Sequence, residues 1–102
     1  MKAISSKELL EKYKYDKSCL IIDLRSKTEY ERGHIPFSYN IPFDILTKQC
    51  LYYLNKDNTY YLICKHGDQS KEATKILESN KYNVVNIKDG IISWIGPIEK
   101  EN

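Results

Sequence analysis

The chain has 102 residues, 41% of them hydrophobic and 29% charged, which fits one globular domain whose core needs no disulfide staples. A formal net charge of +2 is too small to argue for nucleic acid or an anionic membrane as a partner. Cys19, Cys50 and Cys64 are an odd count without paired or metal-ligand spacing, which speaks against a disulfide framework or a zinc site and for free thiols in a reducing compartment. Nine scattered tyrosines form no stacking motif and read as amphipathic residues at the edge of a core.

The opening stretch, Met1 to Tyr13, lacks an apolar run with a small-residue cleavage site, and no window approaches the length of a membrane span. The expected setting is therefore the cytoplasm, with no membrane partner. Residues 3–4 fit a short edge strand. Ser5-Ser-Lys-Glu8 has the form of a capping box and predicts a helix to about Tyr13, with Leu9 and Leu10 on its apolar side. Cys19 to Asp23 is an apolar run closed by a charge, which predicts a buried strand with Cys19 in the core. A second capping box, Ser26-Lys-Thr-Glu29, predicts one or two helical turns ending at Gly33, and Asn40-Ile-Pro42 a short edge strand.

Residues 43–54 follow helical spacing through Phe43, Ile45, Leu46, Cys50, Leu51 and Leu54. Tyr60 to Cys64 repeats the buried-strand form. Ser70 to Ser79 predicts a helix with Ala73, Ile76 and Leu77 on one stripe. Asn83 to Ile87 predicts a third buried strand, and Ile91 to Trp94 a last helical turn before Gly96-Pro97. Strands alternating with helices make an α/β domain with a largely parallel sheet, spanning residues 1–102 as one unit. Ligands of such sheets bind outside the carboxyl ends of the strands.

Cys64 stands at such an end, followed by Lys65-His-Gly-Asp-Gln-Ser70 and then a helix. Gly67 lets the short loop curl, and a curled loop turns successive N–H groups inward to favour anions. The helix that follows adds free N–H donors and the positive end of its dipole. A thiol there is expected to exist largely as the nucleophilic thiolate. Lys65 and His66 can add positive charge and Ser70 a hydroxyl hydrogen bond, whereas Asp68 opposes them and is expected to point outward. An isolated cysteine more often packs as a small hydrophobe. Strand end, glycine-containing loop and immediate helix start together favour a working thiol.

The loop Cys64-Lys-His-Gly-Asp-Gln-Ser70 resembles the active-site loop of rhodanese-domain sulfurtransferases. Two further stretches agree. Ile22-Asp-Leu-Arg-Ser-Lys-Thr-Glu-Tyr-Glu-Arg-Gly-His-Ile-Pro36, followed by Asn40-Ile-Pro42, is similar to the family's Asp-x-Arg, Glu-Tyr, Gly-His-Ile-Pro and Asn-Ile-Pro pattern. Tyr82 to Trp94 is similar to its closing pattern of strand, glycine pair and tryptophan. The order and spacing are kept over nearly the whole chain. The resemblance implies a three-layer domain, helices flanking a central, mostly parallel sheet. It also implies that Cys64 takes the outer sulfur of thiosulfate or another sulfane donor as a persulfide, then passes it to cyanide, a thiol or a carrier protein. Lys65, His66, Gly67, Asp68, Gln69 and Ser70 would bind the donor, a small sulfur-containing anion, with no metal or organic cofactor.

Three positions depart from that pattern. Gln69 stands where many members carry an arginine, Asp89-Gly90 replaces the closing glycine pair, and Pro36-Phe-Ser-Tyr39 replaces Pro-Gly-Ala. Phosphatases and arsenate reductases of this fold close a longer loop with an arginine, and no arginine follows Arg32. A non-catalytic binding or redox-sensing module is the other alternative, against which stands the retained cysteine. Asp23 and Arg25 read as a charge-assisted pair, His34 as a structural turn residue, and Trp94 as packing with its indole N–H on a carbonyl.

Overall fold

The computed structural model describes residues 1–101. Five strands, β1 (Lys2–Ile4), β2 (Leu20–Asp23), β3 (Tyr39–Asn40), β4 (Thr59–Ile63) and β5 (Asn83–Ile87), alternate with five helices. These are α1 (Ser6–Tyr15), α2 (Lys27–Arg32), α3 (Phe43–Lys48), α4 (Cys50–Tyr53) and α5 (Asp68–Ser79), and a 3₁₀ turn follows over Ile91–Ser93. The strand order is β1-β5-β4-β2-β3, and every neighbouring pair is parallel. Each connection therefore crosses a face of the sheet, and helices carry the crossovers.

The alternation of side chains along each strand divides the core in two. Ile21, Ile63 and Ile87 meet Leu9, Leu10 and Tyr13 of α1 together with Trp94 on one face. Ile22, Leu62, Cys64 and Val84 meet Leu46 of α3 and Ala73 and Leu77 of α5 on the other. A fully buried leucine or isoleucine contributes about 1.5–3 kcal/mol, so β2, β4 and β5, apolar on both faces, anchor the sheet.

The capping boxes act as their residues predict, most fully at α1. The Glu8 N–H donates to Ser5 Oγ at 3.0 Å and the Ser5 N–H to Glu8 Oε1 at 3.1 Å. The α2 N-terminus has the Glu29 N–H on Ser26 Oγ, and the helix stops at Gly33. Segment 43–54 is two short helices, broken at Gln49 (φ −126°, ψ 32°). The β3 strand falls on Tyr39–Asn40, not Asn40–Pro42. Cys19 lies just outside β2 and is half-buried rather than a core residue. On α5 the buried stripe is Ser70, Ala73, Thr74 and Leu77, with Ile76 only half-buried. The helix is rolled from the expected face because two hydroxyl residues take inward positions and find partners there. Thr74 Oγ1 donates to the Ser70 carbonyl at 2.7 Å.

Two polar ties brace the segment that follows β2. Asp23, wholly buried, receives Arg25 Nη2 at 2.8 Å and Arg25 Nε and N–H at 3.0 Å each. The same guanidinium reaches the Gly33 carbonyl at 2.7 Å. His34 is buried in the turn after α2, its Nδ1 2.7 Å from the Tyr30 carbonyl and its backbone bridged antiparallel to Glu99.

Candidate active site

Cys64 is the first residue beyond β4, and its side chain follows Leu62 onto the α5 face, 3% exposed. The chain then turns through Lys65 and His66 to Gly67, whose φ of 103° lies in the left-handed region that glycine tolerates. Gly67 is the N-cap of α5 without a side-chain cap, so the helix begins at Asp68, two residues earlier than its sequence pattern indicates. With no side-chain acceptor at the N-cap, the first-turn N–H groups are left for other acceptors. The sulfur is one. Gly67 N–H donates to Cys64 Sγ at 3.1 Å and Ser70 N–H at 3.3 Å. Ser70 Oγ lies 3.3 Å from the same sulfur.

The turn after β5 holds this loop from outside. Ile91 N–H donates to the Cys64 carbonyl at 2.8 Å and Ile92 N–H to the Lys65 carbonyl at 3.2 Å. The packing is backbone on backbone at two glycines. A Cβ on Gly67 would lie 2.1 Å from the Lys88 carbonyl oxygen, and one on Gly90 would lie 2.2 Å from the Lys65 carbonyl oxygen. Asp89, in place of the first glycine of a pair, accepts the Ser6 N–H at 2.7 Å, and the Ser6 hydroxyl donates to the Gly90 carbonyl at 2.5 Å, which ties the start of α1 to this turn. Gly67→Ala is expected to cost about 2 kcal/mol or more, since both φ and space oppose a side chain, and to lower Tm by about 10 °C. A melting curve checks it, and an unchanged Tm would mean the loop is not clamped in this way.

Of the candidate residues, the structure gathers Gly67 and Ser70 onto the sulfur. Lys65, His66, Asp68 and Gln69 are exposed around it, and among the described residues none of their side chains bonds to Sγ. Neither arginine of the chain stands in the loop; Arg25 is committed to Asp23 and Gly33. Asn86 was not singled out by its sequence context, yet its Oδ1 lies 2.5 Å from Ser70 Oγ. The available signal was an amide inside an otherwise apolar buried strand, Asn83-Val-Val-Asn-Ile87.

The other thiols lie apart from this arrangement. Cys19 sits before the amino end of β2, at the far end of a parallel sheet, beside a cleft of about 360 Å³ lined by Lys17, Ser18, Phe37 and Tyr39. Burial first, and the Asp16 carboxylate second, push its thiol up from the ordinary value, which keeps it largely protonated near neutral pH. Cys50 is half-buried on α4 against the core that includes Cys64. Trp94 packs edge-on to Tyr13 and donates its indole N–H to the Pro97 carbonyl at 2.9 Å.

A parallel α/β domain with a cysteine at a strand end, under the N–H groups of a glycine loop and a helix start, brings backbone donors together on one thiol. The rhodanese-like domain family model matches residues 5–96, and the chain belongs to that family. It is 30% identical over 102 residues to the Bacillus subtilis protein named "Putative sulfurtransferase YtwF", covering 100% of this chain and 98% of that one. It is 32% identical over 97 residues to the B. subtilis "Putative sulfur carrier protein YrkF", covering 94% of this chain and 52% of that one. The crystal structure of a rhodanese-like domain protein from Staphylococcus aureus matches with a TM-score of 0.90 at 32% identity, over the full length of both chains. Family and relatives together support a general sulfurtransferase role. No helix among the described residues is long and apolar enough to cross a membrane.

Proposed function

We propose that the protein is a sulfurtransferase that carries sulfane sulfur as a persulfide on Cys64. In the first step the Cys64 thiolate attacks the outer sulfur of thiosulfate or of a persulfide donor. A new S–S bond forms, the donor's S–S bond breaks, and sulfite or a thiolate leaves with the electron pair. In the second step cyanide or an acceptor thiolate attacks the outer sulfur of the Cys64 persulfide, and the Cys64 thiolate returns as leaving group. Two steps through one nucleophile make a ping-pong reaction, and neither step consumes a metal or organic cofactor.

The observation that carries this reading is the pair of N–H groups, from Gly67 and Ser70, on Cys64 Sγ. Fixed donors stabilise negative charge without reorganising as it shifts along the S–S bond. Lys65, His66, Asp68 and Gln69 would contact the donor, residues 1–102 would act as one unit, and the cytoplasm suits a free thiol. The acceptor can be a small thiol or a carrier protein, in keeping with the similarity to YrkF, a protein named as a sulfur carrier.

The test is an intact-mass measurement of the reduced protein before and after exposure to thiosulfate and, separately, to glutathione persulfide. Gain of one sulfur atom that cyanide removes is the expected result. A blank with both donors, on folded protein with free thiols, would turn the reading to a binding or redox-sensing module. Donor preference has its own prediction. Gln69 is exposed in the first turn of α5, and Gln69→Arg adds a charged fork beside the site. Charge-assisted hydrogen bonds should then lower KM for thiosulfate by about tenfold. A steady-state comparison that shows no fall would mean position 69 does not reach the donor.

A further inference from the structure

Ser70 Oγ has three neighbours and one hydrogen. Asn86 Oδ1 lies at 2.5 Å, the Gly67 carbonyl at 3.2 Å and Cys64 Sγ at 3.3 Å. All the side chains concerned are buried: Ser70 at 0%, Asn86 at 2% and Cys64 at 3% exposure. A hydroxyl gives its hydrogen once and accepts through its lone pairs. The short contact claims the hydrogen for Asn86, so Ser70 turns a lone pair toward the sulfur. That direction suits a thiol, which donates its own S–H. It does not suit a thiolate or persulfide, whose sulfur has no hydrogen to give and gains from receiving one.

Building on the reading of Cys64 as the working thiol, we infer that Asn86 is a positioning residue for Cys64. It acts through Ser70: by holding the hydroxyl hydrogen, it reserves Ser70 as an acceptor for the S–H form. When the sulfur loses its proton, the Ser70 hydrogen swings from Asn86 Oδ1 to Sγ and joins the two backbone N–H groups already there. Asn86 thus sets how readily the site yields an anionic sulfur. Its own strand, β5, carries it under α5, and nothing else in the buried run Val84 to Ile87 is polar.

The experiment measures alkylation of Cys64 by iodoacetamide against pH, read on the Cys64 peptide so that Cys19 and Cys50 do not contribute. Native chain, Asn86→Leu, Ser70→Ala and the double variant are compared. Other charged groups near the loop are Lys65, His66 and Asp68 within it, Lys88 and Asp89 in the turn packed on it, and the Asp23–Arg25 pair at the end of β2. All are the same in each chain.

Asn86→Leu frees the hydroxyl for the sulfur. The profile should move to lower pH, with alkylation near neutrality faster by about fivefold, since hydrogen bonds to charged acceptors exceed those to neutral ones. With Ser70→Ala in place, the Asn86→Leu change should have no further effect. A profile unmoved or moved to higher pH, or the same shift with and without Ser70, would overturn the inference. Should Asn86→Leu not fold, Asn86→Asp decides when made with and without Ser70→Ala: the carboxylate repels the thiolate in both, the shift to higher pH should be larger with Ser70 present, and equal shifts would overturn the inference. Alkylation needs no sulfur donor, so the two readings fail separately. A shifted profile on a chain that never gains sulfur would sink only the transfer reaction, and sulfur gain with no coupling would sink only the role of Asn86.

Discussion

Cys64→Ser is expected to fold as the native chain does and to gain no sulfur from any donor. The change replaces the sulfur by a smaller polar atom under the Gly67 and Ser70 N–H groups, so the new hydroxyl finds hydrogen-bond partners where it stands. Melting should therefore move little. The chemistry should vanish, because an alkanol is a far weaker nucleophile than a thiolate near neutral pH. Among the described residues the only side chain bonded at position 64 is the Ser70 hydroxyl, which is no base. Intact mass after thiosulfate, and thiocyanate formation with cyanide, both read the loss. Sulfur still gained by this variant would move the carrier to Cys50 or Cys19. Cys19 is the weaker candidate, since burial and Asp16 push its thiol up.

The second large effect is on stability. Asp23→Ala removes the carboxylate that receives the Arg25 side chain and backbone, and leaves a guanidinium that is 11% exposed without its partner. Breaking one side of a buried pair costs about 3–5 kcal/mol, against a total of about 5–15 kcal/mol for a domain. For a chain of this size, the lower figure already means a fall in Tm of the order of 15 °C. Asp23 sits opposite Ile63 in the β2–β4 register, and the Leu24 N–H reaches the Ile63 carbonyl at 2.9 Å. Loosening should thus be felt at the neighbouring strand end that presents Cys64. If thermal unfolding of Asp23→Ala matched the native chain, the pair would be ornamental.

Much of this architecture was legible in the residues, and for identifiable reasons. The three central strands are continuous apolar runs because both faces of a parallel sheet are covered, and the α1 capping box is spelled out in Ser5 and Glu8. Cys64 stood out because its run ends where a glycine loop begins. The start of α5 was less legible, since Gly67 caps it without a side-chain bond and leaves no serine or aspartate signature at the N-cap. The break at Gln49 was hidden because helical spacing continues across it in Cys50, Leu51 and Leu54. Asn86 showed locally only as an amide in an apolar run; that it meets Ser70 depends on which residue of α5 lies over β5, a tertiary fact. The sequence offers Ser70 as a hydroxyl donor within the loop without showing its acceptor. In the structure that acceptor is Asn86 Oδ1.

The strand order also sets a timetable. Chains emerge from the ribosome N-terminus first, at about 5–20 residues per second, yet β1 pairs with β5, so the first strand made must wait for the last. The clamp on the Cys64 loop, from Gly90 to Ile92, is likewise synthesised after the loop it holds. A nascent chain that has exposed Cys64 still lacks the turn that seats its carbonyl and that of Lys65. The seat of the Cys64 loop is therefore assembled late, together with closure of the sheet.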